Sequence, residues 1–146
     1  MHVYLAGSLF TPYERGYLDE CAVRLRERGF EVFVPHEQAL ALGNPTAAEI
    51  FAKDLEGLAD AEAVLALLDG SQVDDGTACE IGLFYALMRS DPAKKGIVGL
   101  LTDLRSLRLE EGHGLNLFVE GCIEAGGEVT TSLDDALSAL ERLRAT

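Results

Sequence analysis

Cysteine is scarce in this sequence, and its three copies lie far apart at positions 21, 79 and 122. Without a Cys-x-x-Cys pair, they fit neither a structural zinc site nor a disulfide framework. The three histidines, at positions 2, 36 and 113, also lack the spacing of metal ligands. We therefore expect no metal, and we interpret each histidine as a surface or loop residue.

Basic residues are also few. Only 12 Lys and Arg accompany 25 Asp and Glu, which gives a net charge of −13 at pH 7. A nucleic-acid backbone is bound by clustered Lys and Arg, so we expect no nucleic-acid partner. The acidity favours solubility and does not repel a small neutral ligand.

Long apolar runs are absent. No stretch reaches the roughly 18 consecutive apolar residues that indicate a transmembrane helix, and the first residues lack the basic segment of a secretory signal. We therefore expect no membrane association and a cytoplasmic protein. Without an internal repeat or a low-complexity linker, the 146 residues are predicted to form one domain, 1–146.

Apolar runs of strand length alternate with helical patterns along the chain. The predicted strands are 3–6, 31–34, 63–68, 97–101 and 129–131. The predicted helices are 11–28, 77–89 and 133–144, and one that Thr46 caps and that runs to position 61. Segments 36–45 and 102–120 are predicted to be irregular. This order predicts an α/β fold: a parallel five-stranded sheet with helices on both faces and a ligand site at the carboxyl ends of the strands.

Glycine motifs for phosphate binding are missing. Gly7 follows the first strand, where it suits a tight turn into a helix, but neither GxGxxG nor a Walker motif occurs. Dinucleotide and P-loop functions therefore lose their main support. A flavin-binding flavodoxin is disfavoured as well, because no Ser/Thr-rich loop follows the first strand.

Glu80 is a candidate catalytic carboxylate. It follows an acidic loop and lies on a predicted helix in line with the apolar residues Leu83, Phe84 and Leu87. A carboxylate in such a stripe faces the protein, where its burial costs free energy unless it is paired or used. The local pattern leaves one alternative open: from Thr77 onwards the sequence also fits a capping box, in which Glu80 would only bond back to the helix start.

Asp54 is a second candidate. At the helical period it falls inside the apolar stripe between Ile50 and Leu58, whereas Glu56 lies on the outer face. An acid at a position where leucine is expected indicates either a function or the anchoring of a loop. Together with Asp74, these acids would suit glycosidic chemistry: one carboxylate captures the anomeric carbon, and another acid protonates the leaving base.

Four motifs, in their order and spacing, resemble the nucleoside 2-deoxyribosyltransferases. They are YLAGSLF at 4–10, DLxGL at 54–58, DxGxxxExG at 74–82 and NLF at 116–118. The resemblance implies a flavodoxin-like fold and transfer of 2′-deoxyribose between nucleobases through a covalent enzyme intermediate. It also implies a place in nucleotide salvage, with a deoxynucleoside and a free nucleobase as partners and without a cofactor.

The resemblance also implies residue roles. Glu80 matches the family's nucleophile, Asp74 and Asp54 match the acids that hold the base and supply its proton, and Tyr4 matches the tyrosine that positions the nucleophile. Asn116 matches an asparagine by which a neighbouring subunit binds the sugar hydroxyls. The remaining predicted substrate contacts are Gly7, Phe10, Gln38 and Phe118.

Because the family completes its site across a subunit interface, the resemblance implies a homo-oligomer, either a dimer or a dimer-based hexamer.

Two other functions stay open from the sequence. One is a nucleoside or nucleotide N-glycohydrolase on the same fold, in which water replaces the acceptor base. The other is a non-catalytic nucleotide-sensing domain, since a fold does not fix a function. The related nucleotide N-glycosidases carry a Gly/Arg-rich first loop for the phosphate, whereas here no arginine precedes Arg15, so the resemblance favours a free nucleoside over a 5′-monophosphate.

Overall fold

A computed structural model describes residues 1–103, 105 and 114–146. Its strands are β1 (His2–Ala6), β2 (Glu31–Phe33), β3 (Ala63–Leu67), β4 (Gly96–Leu100) and β5 (Glu128–Thr130). Its helices are α1 (Pro12–Glu27), α2 (Pro35–Leu42), α3 (Ala47–Asp60), α4 (Asp75–Met88), α5 (Leu117–Glu124) and α6 (Leu133–Arg144). All strand pairings are parallel, in the order β2-β1-β3-β4-β5. This flavodoxin-like order confirms the predicted fold class.

Two apolar layers cover the sheet. Residues of α1 and α6 pack on one face, and residues of α3, α4 and α5 pack on the other. Successive side chains of a strand point to opposite faces, so Val3 and Leu5 of β1 join the first layer, whereas Tyr4 and Ala6 join the second. This alternation directs the Tyr4 side chain toward the helices that carry Asp54 and Glu80.

Two predicted irregular segments are partly helical. Pro35 does not only end a strand: it begins α2, because its fixed φ and missing N–H suit the first position of a helix. The irregular prediction for 36–45 was therefore wrong over most of its length. Within 102–120, α5 begins at Leu117 with Asn116 as its N-cap, while residues 104 and 106–113 lie outside the described residues.

The start of α4 also differs from the prediction. The helix begins at Asp75 and is capped by Asp74, two residues before the predicted start at Thr77. The other predicted elements agree with the observed ones within one residue at each end. In the part of the chain that the structure describes, none of the helices combines the length and the hydropathy needed to cross a bilayer.

Candidate active site

The centre of the candidate site is a hydrogen bond between β1 and α4. The Tyr4 hydroxyl donates to Oε1 of Glu80 over 2.6 Å. Tyr4 is fully buried, and Glu80 is largely buried. These two residues are 76 positions apart in sequence, and only the packing of α4 on the sheet brings them together.

Glu80 faces inward because of the face that α4 buries. Thr77, Ile81 and Phe84 are the buried residues of this helix, and they recur at the helical period. Glu80 lies three positions after Thr77, at the border of that face. The predicted stripe was only partly right, since Phe84 is buried but Leu83 remains 40% exposed at the mouth of the site.

The capping-box interpretation of Glu80 is wrong. Oδ2 of Asp74 accepts hydrogen bonds from the backbone N–H of Thr77, at 3.1 Å, and from the Thr77 hydroxyl, at 3.3 Å. Asp74 therefore satisfies the helix start, and the Glu80 carboxylate bonds to Tyr4 instead. Glu80 also lies beyond the first helical turn, where the helix dipole has only a weak effect on a charge.

A pocket of about 200 Å³ opens beside Glu80. Asp54 of α3 and Glu80 of α4 are its acidic residues. The remaining lining is apolar or small, and it consists of Phe51, Leu55, Leu58, Gly76, Cys79 and Leu83. Two carboxyl groups between apolar walls can bind a planar, mostly apolar ligand that carries a few polar atoms.

Burial dominates the electrostatics of this pocket. It raises the pKa of Glu80 from 4.5 to about 7; the hydrogen bond from Tyr4 lowers that pKa, and the charges of Asp54 and Asp74 raise it. Burial also raises the pKa of Asp54. The pKa of Tyr4 is raised strongly, first by burial and then by Glu80, so its hydroxyl stays protonated and acts as a donor.

Asp74 lines a second cavity, on the other side of the start of α4. This cavity of about 330 Å³ is strongly acidic, and its lining is Ser8, Glu14, Asp69, Gly70, Ser71, Gln72, Asp74 and Asp75. Asp69 anchors the segment after β4 to the wall of this cavity. Its carboxylate accepts hydrogen bonds of 2.5 to 2.8 Å from the backbone and hydroxyl of Thr102 and from the backbone of Asp103. The sequence places Asp69 among the loop acids, but this anchoring of the segment after β4 could not be predicted from it.

The predicted substrate contacts are more dispersed. Gly7 packs closely between Leu18 and Leu67, where an added Cβ would lie 3.2 Å from each. Phe10 is 80% exposed. Gln38 lines a separate groove, together with Phe33 and Gly57 among others.

Asn116 and Phe118 lie at the start of α5. Oδ1 of Asn116 accepts from the backbone N–H groups of Phe118 and Val119, at 3.0 and 3.4 Å, and the Phe118 side chain is 79% exposed. Among the described residues, the lining of the Glu80 pocket includes neither of them. Within the ranges that the structure covers, no group of three His, Cys, Asp or Glu is placed to hold a metal ion.

The fold and these acids define a flavodoxin-like α/β domain with an acidic cleft at the start of α4. The family model of the nucleoside 2-deoxyribosyltransferases matches residues 3–131. The chain therefore belongs to the nucleoside 2-deoxyribosyltransferase family, as its motifs predicted. Among proteins of curated function, none matches the chain significantly.

Solved structures share this fold over nearly the whole chain. A conserved protein from Enterococcus faecalis has 27% identity and a TM-score of 0.80, with 97% of this chain and 98% of that chain covered. A 2-deoxyribosyltransferase from Bacillus psychrosaccharolyticus has 20% identity and a TM-score of 0.73, with coverages of 98% and 96%. A CMP N-glycosidase from Clostridium botulinum has 18% identity and a TM-score of 0.63, with coverages of 97% and 99%. One fold therefore accommodates both transfer and hydrolysis.

The raised pKa of Glu80 predicts a stability cost that depends on pH. Because the folded-state pKa, about 7, exceeds the ordinary 4.5, ionising Glu80 within the fold is unfavourable. The cost is absent below about pH 4.5 and complete above about pH 7, and it amounts to at most about 3 kcal/mol.

Glu80→Gln should therefore raise the free energy of unfolding at pH 8 and leave it nearly unchanged at pH 4, as measured by urea denaturation. The matched control is Glu124→Gln, which alters an exposed acid of α5 and should change neither value. An equal gain at both pH values would contradict the pKa assignment.

Proposed function

We propose that this protein transfers 2-deoxyribose between nucleobases through a covalent glycosyl-Glu80 intermediate. The observation that carries the proposal is the partly buried hydrogen bond of 2.6 Å from Tyr4 to Glu80, at the wall of a pocket that Asp54 also lines. Family membership supports the same reaction class. A carboxylate held in one orientation at the wall of a pocket is what an attack on an anomeric carbon requires.

The reaction has two balanced steps. In the first, an oxygen of ionised Glu80 attacks C1′, the N-glycosidic bond breaks, and its electron pair leaves with the base, which takes up a proton from an acid. In the second, a nitrogen of the acceptor base attacks C1′, the bond to Glu80 breaks, and the acceptor's proton returns to that acid. Negative charge around the site stabilises the oxocarbenium-like transition states.

Tyr4 orients the Glu80 carboxylate for the attack on C1′. Its hydroxyl donates a hydrogen bond to Oε1, and we assign the attack to Oε2. The hydrogen bond favours the ionised carboxylate and so offsets part of the cost of burial. A pKa near neutrality also makes the ionised carboxylate a stronger nucleophile in the first step than a strongly stabilised anion would be.

Asp54 is the acid that we assign to the proton transfer. It lies in the same pocket as Glu80, and burial raises its pKa, which favours the protonated form that a donor needs. Asp74 has a different place: it caps α4, and its charge acts on Glu80 from the neighbouring cavity. We therefore assign Asp74 an electrostatic and sugar-facing role.

A nucleoside suits the site better than a 5′-monophosphate. The cavity at Asp74 is lined by four acids, Glu14, Asp69, Asp74 and Asp75, whose charge would repel a phosphate. Arg15, the first arginine after β1, donates to the backbone oxygen of Leu9 over 2.5 Å. Hydrolysis remains the second candidate, because the CMP N-glycosidase shares the fold.

Exposed apolar side chains support a homo-oligomer. Two pairs that are close in sequence, Phe10 with Tyr13 and Leu117 with Phe118, are each 79% exposed or more, and contiguous exposed apolar surface marks interaction sites. We propose that a second copy covers the start of α5 and that Asn116 of one subunit serves the Glu80 pocket of the other.

A transfer assay tests the proposed reaction. Incubation with deoxyinosine and free adenine should yield deoxyadenosine, and Glu80→Ala should reduce turnover by several orders of magnitude because the nucleophile is lost. Without an acceptor, an acid-quenched digest of the wild-type protein should carry one deoxyribosyl group on the peptide that contains Glu80. Glu124→Ala is the control and should retain full activity. Free deoxyribose without deoxyadenosine would favour the N-glycohydrolase, and normal activity of Glu80→Ala would exclude the covalent mechanism.

The acid assignment predicts different responses of two variants. Asp54→Asn should lower kcat with purine donors by a factor of about 10² or more, since a positioned acid contributes on that scale. It should have little effect on a donor whose leaving group needs no proton, such as a nitrophenyl deoxyriboside. Asp74→Asn keeps a good N-cap, so its loss should be smaller and similar for both donors. The exposed Asp60, also on α3, provides the control Asp60→Asn. Equal losses of Asp54→Asn on both donors would contradict its role as proton donor.

The shared-site proposal predicts complementation. Asn116→Ser keeps a capping hydroxyl but loses the amide, so we expect weaker sugar binding with α5 intact. Glu80→Ala and Asn116→Ser proteins, each inactive or weak alone, should regain about a quarter of the wild-type activity when unfolded and refolded together as random dimers. Activity of the mixture that equals the mean of the separate proteins would place both residues in one subunit's site.

A further inference from the structure

Gly57 lies in the interior of α3, where glycine is unfavourable by about 1 kcal/mol relative to alanine. The residue is buried, and an added Cβ would lie only 2.5 to 2.6 Å from three carbons of the Phe33 ring. The missing side chain therefore lets α3 approach the ring of Phe33 directly. By contrast, a Cβ at Gly16 in α1 would meet nothing within 4 Å.

Phe33 in turn contacts Tyr4. The two residues are partners in the parallel register of β1 and β2. Their rings are stacked, with centroids 5.2 Å apart and planes inclined by 12°. Tyr4 has no exposed surface, so its ring is held between Phe33 and the rest of the apolar layer.

We propose that Gly57 and Phe33 are positioning residues, which fix the Tyr4 hydroxyl on Glu80 through the contact sequence Gly57–Phe33–Tyr4–Glu80. The inference rests on the proposed function, because it assigns these two residues to the preparation of the nucleophile. Neither residue belongs to the lining of the Glu80 pocket as described, so we assign both an action through Tyr4.

The distances set the size of the effect. A Cβ at position 57 would force the Phe33 ring away by about 1 Å, because carbon atoms in contact lie about 3.5 Å apart. Because the Tyr4 ring stacks on Phe33 and has no exposed surface, we expect a displaced Phe33 ring to shift it. A displacement of that order would take the hydrogen bond of 2.6 Å beyond the O–H···O range of about 2.5 to 3.0 Å.

Loss of the hydrogen bond changes the pKa of Glu80 in a defined direction. The hydrogen bond from Tyr4 lowers the pKa of Glu80, so its disruption raises that pKa. A net hydrogen-bond contribution of about 1 kcal/mol corresponds to a shift of about half a unit to one unit. Asp54 lies three positions before Gly57 on α3 and raises the pKa of Glu80, so moving α3 outward without disturbing Tyr4 would lower it. The two routes therefore give shifts of opposite sign.

Carboxyl ¹³C NMR of the full-length protein, labelled at glutamate, measures this pKa without substrate; the Glu80→Gln spectrum identifies the resonance. Gly57→Ala should raise the pKa of Glu80 by about half a unit or more, and Gly16→Ala should leave it unchanged. In a Tyr4→Phe background, Gly57→Ala should produce no further shift. Phe33→Leu, which removes the stacked ring without overlap, should also raise the pKa and covers the case in which Gly57→Ala does not fold.

The outcomes separate the positioning role from the proposed function. An unchanged or lowered pKa in folded Gly57→Ala, or a shift that persists in the Tyr4→Phe background, overturns the contact sequence. If neither Gly57→Ala nor Phe33→Leu changes the pKa, the positioning role fails even where the wild-type protein transfers deoxyribose. If the shifts occur as expected and the wild-type protein transfers none, the proposed function fails and the contact sequence holds as a structural property. In an active enzyme, Gly57→Ala should lower kcat at pH 6 more than at pH 9, a difference that general destabilisation would not produce.

Discussion

Holding a carboxylate out of water is the constraint around which this domain is arranged. Glu80 is partly buried, the charges of Asp54 and Asp74 act on it, and among the described residues the hydroxyl of Tyr4 donates a hydrogen bond of 2.6 Å to it. That partner exists because β1 alternates its side chains between two apolar layers, and because α4 presents the border of its buried face to the same layer. Phe33 and Gly57 complete the arrangement by fixing where the tyrosine ring can lie. An ordinary core residue at position 80 would relieve the fold of this cost and remove the carboxylate on which the proposed chemistry depends.

Most of the fold could be predicted because its signals are local. The five apolar strands, the capped helices at Thr11 and Thr46, and the parallel class all follow from periodicity, capping chemistry and strand composition. The predicted element boundaries were wrong where one residue type can serve two structural roles. Pro35 both ends a strand and starts a helix, and the helix that the sequence placed from Thr77 begins two residues earlier because Asp74 caps it.

Of the residues that the sequence proposed for the site, the structure brings Tyr4 and Asp54 to Glu80, and their catalytic roles stay predictions. The positions of Glu80 and Asp54 within apolar patterns indicated inward carboxylates, Asp74 belonged to the acidic loop, and the family motifs added Tyr4. The sequence could not show that Asp54 and Asp74 line different cavities, because that depends on how α3 and α4 pack on the sheet. Nor could it show why Gly57 must be glycine, since the reason is an aromatic ring 24 positions earlier in the chain.

The cap at the start of α5 has a consequence for molecular recognition. Oδ1 of Asn116 accepts two backbone N–H groups, so the amide plane is set by the helix itself and its amino group is directed away from the backbone. The amino group of Asn116 therefore loses little rotational freedom when it donates to a hydroxyl oxygen, because the conformational entropy of this side chain is already lost on folding. Under the proposed function, one side chain would thus both cap α5 and bind a ligand, so that only a substitution that keeps a capping oxygen separates the two roles.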